Sequence, residues 1–236
     1  MTDTTSASPR PNPIVSAVLA LVVTALDAVL LMIALGGFAA LLAHVRALAL
    51  LAFWAIGAVF LAVRRPVRGT AAATVERESP LILITLFLIP LLTPPLAALS
   101  ERLSLWQLPG GVALRWIGVG LAGLGFAVRI VAMAQLGTRF SPLVALQKEH
   151  TLETRGLYAR IRHPGYLGAW LAALGAALAF GGGVSLPLVA AMGLLLSARA
   201  GREEAMLERQ FGEEYRRYRA RSGRFLPPLS TAPPSR

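Results

Sequence analysis

Arg162-His163-Pro164-Gly165-Tyr166-Leu167-Gly168 opens an apolar run that lasts to Phe180, meets Gly181-Gly182-Gly183, and resumes from Val184 to Ala198. Proline suits a first helical position, so a helix is predicted to begin at Pro164 with His163 at its cap. Free backbone N–H groups at such a start attract an anion. At about 1.5 Å per residue each apolar arm reaches roughly 23 Å, short of a hydrocarbon layer of about 30 Å. The two arms therefore read as a helical hairpin that turns at the triple glycine. It returns the chain to the level it left.

Working outward, the rest of the chain is also apolar. Hydrophobic residues make up 56% of 236, and the mean hydropathy is +0.63. Several windows approach bilayer-crossing length, and no strand-like alternation appears, so the class is an all-α integral membrane protein. The net charge is +11, and Lys148 is the one lysine among 23 basic residues. Placed beside apolar spans, that excess fits anionic lipid headgroups and not nucleic acid. The absence of cysteine excludes disulfides, thiol catalysis and Cys-ligated metal. Three histidines without a shared spacing give no metal site. No phosphate-binding glycine motif is present. The Ala-, Arg-, Leu- and Gly-rich usage suggests a bacterial source, hence a plasma membrane.

In chain order, residues 1–13 read as a disordered tail. Ile14 to Ala43 is an apolar run interrupted by Asp27 and Gly36-Gly37; it reads as a retained first span ending before His44. Asp27, near its middle, needs a partner or a wet cavity. Ala47 to Val63 is the second span. Pro80 to Leu99 is the third, with Pro90, Pro94 and Pro95 expected to kink or end it. Val112 to Leu136 is the fourth, carrying Arg115, Arg129 and a small-residue surface of Gly118, Gly120, Gly123 and Gly125. The polar segment Gly137 to His163 leads into the hairpin, and a charged helix continues from Arg199 to about Gly223. Four spans, a hairpin and a C-terminal helix follow. Residues 14–111 are spans of unassigned role, 112–227 form the core, and 228–236 are a second tail. Most arginines fall on one side, which makes it the cytoplasmic face and puts both termini there.

That topology brings two polar segments together. One supplies His150, Arg155, Gly156, Tyr158, Arg162, His163 and Tyr166; the other supplies Arg199, Arg202, Glu203, Glu204, Phe211, Gly212, Tyr215 and Tyr218. Amide donors, carboxylates and aromatic rings suit a zwitterionic ligand with a cationic centre and a flat base. Positions 204, 207, 211, 215 and 218 form one helical stripe, which puts Glu204 on the inner face. Glu203 is about 100° round and can pair with Arg199. An ordinary solvated helix fits the same spacing. Arg129 either snorkels to the interface or holds an acidic group.

Gly137-Thr138-Arg139-Phe140-Ser141, His150-Thr151-Leu152, Gly156-Leu157-Tyr158 and Arg162-His163-Pro164-Gly165-Tyr166-Leu167-Gly168 closely resemble the core of the isoprenylcysteine carboxyl methyltransferase family. So do Arg199, Glu203-Glu204, Leu207, Phe211-Gly212-Glu213-Glu214-Tyr215-Arg216-Arg217-Tyr218 and Pro227. The resemblance covers about half of the chain, roughly Val112 to Pro227. It implies a membrane methyltransferase that uses S-adenosylmethionine on a lipophilic acceptor, with a carboxylate favoured. It also implies cofactor contacts from His150, Leu152, Gly156, Tyr158, Arg162, His163, Pro164, Tyr166, Glu203 and Glu204. Arg129 and Arg199 would orient the acceptor, and His163 would shape the pocket or serve as a base for a hydroxyl acceptor. The expected partners are membrane lipids and a lipid or lipophilic small molecule, with no metal and no nucleic acid. Three alternatives stay open: an NADPH-dependent sterol-reductase-like enzyme, a phospholipid N-methyltransferase, and a non-enzymatic membrane scaffold. Sterol reductases favour Asn where this chain has Gly165.

Overall fold

Eight α-helices carry most of the residues described in the computed structural model, which are 13–63, 72–75, 80–137, 145–147 and 152–228. They are α1 (Pro13–Leu35), α2 (Phe38–Ala43), α3 (Val45–Val63), α4 (Pro80–Arg102), α5 (Gly111–Leu136), α6 (Pro164–Phe180), α7 (Leu186–Phe211) and α8 (Glu213–Arg221). Helices α4, α5 and the stretch Gly183–Phe211 are long and apolar enough to cross a membrane. Large side chains such as Leu81, Ile117 and Leu194 face outward. A water-soluble protein would bury such a surface, and a lipid-embedded one need not. The chain is an integral membrane protein.

The tightest contact is the α5–α6 seam, and it is built from four glycines. A Cβ on Gly118 would come 2.8 Å from the Gly175 carbonyl oxygen, and one on Gly175 would come 2.6 Å from that of Gly118. Seven residues along each helix the relation repeats, with Gly125 and Gly168 each 2.6 Å from the other's carbonyl oxygen. Backbone therefore lies on backbone, as lipid-embedded helices require when apolar burial gives no drive to associate. Of the glycine surface expected on α5, Gly118 and Gly125 form the seam. Gly123 faces the Phe53 ring, and a Cβ on Gly120 would meet nothing within 4 Å among the described residues.

Around the seam, α1 packs on α3 and α4, and α4 packs on α6 and α7. One core joins Leu31, Leu50, Ala97, Val119, Ala122 and Phe180; a second joins Ile89, Ala173, Ala177, Val189, Met192 and Leu196. The bundle also departs from several sequence-based expectations. The first apolar run breaks at Gly36-Gly37, so the short α2 precedes His44. Helix α4 runs on through Pro90, Pro94 and Pro95 to Arg102, past the expected stop. Prolines remove amide donors but leave the φ angle helical, and packed neighbours tolerate them inside a bilayer. Asp27 is buried, and neither carboxyl oxygen has a hydrogen-bond partner among the described residues.

Helix α7 is one continuous rod. Its 26 residues run roughly 39 Å at 1.5 Å each, so its charged end projects beyond the apolar layer. The charged helix expected after it does not run straight to Gly223. Gly212, at φ 51°, breaks it into α7 and α8, which folds Tyr215 and Tyr218 back into buried positions. Strands β1 (Ala72–Val75) and β2 (Ala145–Gln147) pair antiparallel, a small β element that composition did not announce. They join the loop after α3 to the segment after α5, two polar stretches expected at the same face. Residues 1–12 and 229–236 of the two tails, and His150, lie outside the described residues; Pro13, expected to end the first tail, begins α1.

At the end of the bundle remote from the start of α6, Glu101 closes an ionic knot. Its carboxylate receives Arg46 at 2.8 Å and Arg115 at 2.9 Å and has His44 at 3.3 Å. Arg46 also donates to the Ala179 carbonyl at 2.7 Å. A cation thus sits on a helix-end carbonyl, where the helix dipole favours it.

Candidate active site

The segment before α6 is set by a glycine. Gly156 opens a 3-10 turn, Gly156–Ala159, at φ +58°, and a side chain there would strike the Gln135 amide. Gln135, at the end of α5, accepts the Leu157 amide at 3.0 Å. Tyr158 is buried behind the turn, and its carbonyl accepts the Tyr218 hydroxyl at 2.7 Å. Burial pushes the Tyr218 phenol up to about 12, so it remains a donor.

Arg160 to His163 then run alongside residues 222–224. The Gly223 amide donates to the Arg160 carbonyl at 3.0 Å. The Arg162 amide donates to the Gly223 carbonyl at 2.8 Å, and the His163 amide to that of Arg224 at 3.0 Å. The amides of Arg162 and His163 are therefore engaged by the chain itself, and within the first turn of α6 the Tyr166 and Leu167 amides reach the His163 carbonyl at 3.2 and 3.1 Å. Pro164, at the first helical turn and buried, has no N–H, and the amides before it are already used. His163 is nonetheless the N-cap residue, as the spacing indicated.

The first carboxylate of the site is saturated. Glu204, buried at 3% exposure, accepts Arg162 Nε at 2.9 Å and Arg224 Nη2 at 2.6 Å. His163 Nε2 lies 3.3 Å from the same carboxylate. Arg162 spans onward to the carbonyls of Arg219 and Ser222. Two guanidinium groups on one buried carboxylate form a strong charge-assisted arrangement. Glu204 is thus held from every side by the protein itself.

Glu203 differs. Its side chain is 32% exposed, and one oxygen accepts the Tyr166 hydroxyl at 2.8 Å. The Tyr166 ring stacks on His163, with centroids 5.3 Å apart and planes within 6°. Arg199, also buried, lies over the other aromatic partner, 5.7 Å from the Tyr166 centroid. Arg129 donates to the Gly165 carbonyl at 3.2 Å and lies within electrostatic reach of Arg199. Nearby, the buried Tyr215 hydroxyl has no hydrogen-bond partner among the described residues. Burial, reinforced by the Glu204 charge, raises its pKa and keeps it protonated.

The structure therefore brings Arg129, Arg162, His163, Pro164, Tyr166, Arg199, Glu203 and Glu204 together where α5, α6 and α7 meet. Tyr158 and Gly156 support them from the preceding turn, and Leu152 lies half-buried upstream. Glu203 is engaged by Tyr166, a partner that an i−4 pairing with Arg199 did not foresee. Sequence reasoning missed Gln135, Ser222 and Arg224. Arg224 belongs to no periodic pattern and stands close to Pro227-Pro228, so it read as the edge of a tail. Its one signal was a place inside a motif series that closes at Pro227.

A sequence model described as the isoprenylcysteine carboxyl methyltransferase (ICMT) family matches residues 118–209. A protein-S-isoprenylcysteine O-methyltransferase of Schizosaccharomyces pombe is 40% identical over 104 residues, which are 43% of this chain and 44% of that protein. The Homo sapiens protein of the same name is 34% identical over 115 residues, 47% of this chain and 40% of its own length. These matches span less than half the length of either relative. A eukaryotic intramembrane Ras methyltransferase ICMT structure superposes with a TM-score of 0.56 at 22% identity, covering 90% of this chain and 75% of that one. That likeness is one of fold. Every side chain of the carboxylate and aromatic cluster from Arg129 to Glu204 falls inside residues 118–209, the part of the chain that is similar to the isoprenylcysteine carboxyl methyltransferase family.

Proposed function

We propose that this protein transfers a methyl group from S-adenosylmethionine to a lipophilic carboxylate at the end of the bundle where α6 begins. The observation that carries the reading is the inequality of the two glutamates. Glu204 is consumed by Arg162 and Arg224, while Glu203 is one-third exposed beside the Tyr166–His163 stack. A half-open carboxylate binds an ammonium or sugar hydroxyls, and stacked rings suit a flat base or a cationic centre. The orphaned Tyr215 hydroxyl is a further donor that a bound ligand would satisfy. On these grounds the residues present fit the cofactor. The contacts assigned to His150, Leu152, Gly156 and Tyr158 rest on the family resemblance.

Bound S-adenosylmethionine supplies an electrophilic methyl on sulfur. The protein's share is position. Arg129 and Arg199 place two cations close together at the rim of the apolar layer, a cost that a carboxylate between them would offset. A carboxylate oxygen is already a nucleophile, so no residue need take a proton. His163 then serves as a wall of the pocket and not as a base. Catalysis would come from alignment and from stripping water off both partners. We place the site on the cytoplasmic face of a bacterial plasma membrane, because most basic residues flank that end.

The relatives are named for O-methylation of isoprenylcysteine, so a prenylated cysteine carboxylate is the first acceptor to test. Purified protein is incubated with methyl-labelled S-adenosylmethionine and either that acceptor or a lipid extract. Base-labile label in the lipid phase is the expected result. Calorimetric titration should show binding of S-adenosylhomocysteine; binding of NADPH alone would overturn the proposal.

A further inference from the structure

Residues 222–225 cross the site as a strap, and nothing in the family match, which stops at 209, assigns them a role. The strap lends two carbonyls to the amides of Arg162 and His163 and takes one carbonyl from Arg160. Phe225 sets its ring 6.1 Å from that of His163. Arg224 reaches both oxygens of Glu204, at 2.6 and 3.2 Å. That last contact ties the strap to α7. The Arg224 side chain is 39% exposed, and Leu226, just beyond, is 69% exposed. Ser222, at the start of the strap, is anchored by Arg162 on its carbonyl and by its own hydroxyl on the Tyr218 carbonyl at 2.7 Å. Beyond it, three backbone hydrogen bonds and one half-wet ion pair hold residues 223–225, an element of the kind that opens without the fold opening. Yet it fixes the backbone of the two residues that form one wall of the proposed pocket.

We infer that Arg224 is a positioning residue: its clasp on Glu204 latches the 222–225 strap against Arg162 and His163, and the latch tightens when the cofactor is bound. The coupling follows from linkage. A ligand that needs His163 in place binds the latched state better, so it must in turn stabilise the latch. The inference rests on the methyltransferase reading for the identity of the ligand, but not for the latch.

Hydrogen exchange at the Arg162 and His163 amides, read on the full chain in detergent, tests it. Arg224→Ala should speed exchange at these two amides at least tenfold and leave the α5–α6 seam unchanged. It should weaken S-adenosylhomocysteine binding at least tenfold while the KM for a lipophilic acceptor stays within twofold. Arg224→Lys should recover part of the loss. Unchanged exchange at both amides in Arg224→Ala overturns the latch. In the wild type, S-adenosylhomocysteine should slow exchange at the same amides; bound ligand without slowing overturns the coupling, even if Arg224→Ala fails to fold. A wild type that binds no S-adenosylhomocysteine sinks the functional reading instead, and the exchange comparison still decides the latch.

Discussion

Two ionic knots of the same composition sit at opposite ends of this bundle. Each has one glutamate, two arginines and a histidine: Glu101 with Arg46, Arg115 and His44, and Glu204 with Arg162, Arg224 and His163. At the Glu101 end every member stands on a helix or at a helix junction. Arg46 reaches the last turn of α6, Arg102 reaches the last carbonyls of α1, and the cluster ends on itself. At the Glu204 end both arginines come from irregular backbone, and a second carboxylate stands beside the knot with an exposed face. A saturated carboxylate stabilises. A neighbouring unsaturated one binds. The difference between the two ends lies in Glu203, a second carboxylate with an exposed face beside the Glu204 knot.

Substitutions can break that contrast or sharpen it. The largest effect is expected for Glu204→Gln, which leaves Arg162 and Arg224 facing a neutral group. Loss of one partner from a buried ion pair costs about 3–5 kcal/mol, so thermal melting should drop sharply and S-adenosylhomocysteine binding should vanish from calorimetry. Glu101→Gln should lower the melting temperature as well, by about 1–3 kcal/mol of stability because that cluster is wetter. Its affinity for S-adenosylhomocysteine should stay within twofold. Should affinity fall in step with stability, the two ends are coupled and the contrast fails. Glu203→Gln should do the opposite, weakening ligand binding by about tenfold, the equivalent of one charge-assisted hydrogen bond, with melting almost unmoved.

The smallest effect concerns Tyr218→Phe, which removes the hydroxyl donated to the Tyr158 carbonyl. The cost should be about 1 kcal/mol. Because the folded phenol has its pKa pushed up to about 12 from an ordinary value of about 10, its contribution is full below pH 10 and fades as pH rises toward 12. Melting curves across that alkaline range should converge for wild type and variant. Parallel curves would assign the phenol no share in the site's support.

Much of this was legible in the sequence, for reasons of physics. Apolar length announced the helices, proline marked the start of α6, and the triple glycine marked the turn before α7. The stripe through Glu204 and Leu207 placed the correct glutamate inward. What escaped was whatever depends on contacts far apart in sequence. Arg224 lies 62 positions after Arg162, and no periodicity joins them. The break at Gly212 escaped too, because a glycine within a charged helix reads as tolerated until its φ is known. The amides of Arg162 and His163 illustrate the same point, since the strap that takes them lies about 60 positions further along the chain.

The glycine seam carries a last consequence. With backbone against backbone at four glycines, α5 and α6 have little cushion to compress there, so they behave as a single gauge bar. Its far end carries Arg115, tied to Glu101, and its near end carries Arg129, tied to Gly165. A Cβ on Gly168 would fall 2.7 Å from the Arg129 amide nitrogen, so the bar is calibrated at the very turn that presents the arginine. Whatever slides, tilts or opens when a lipid tail arrives must move against that bar, since the bar itself has no slack to give.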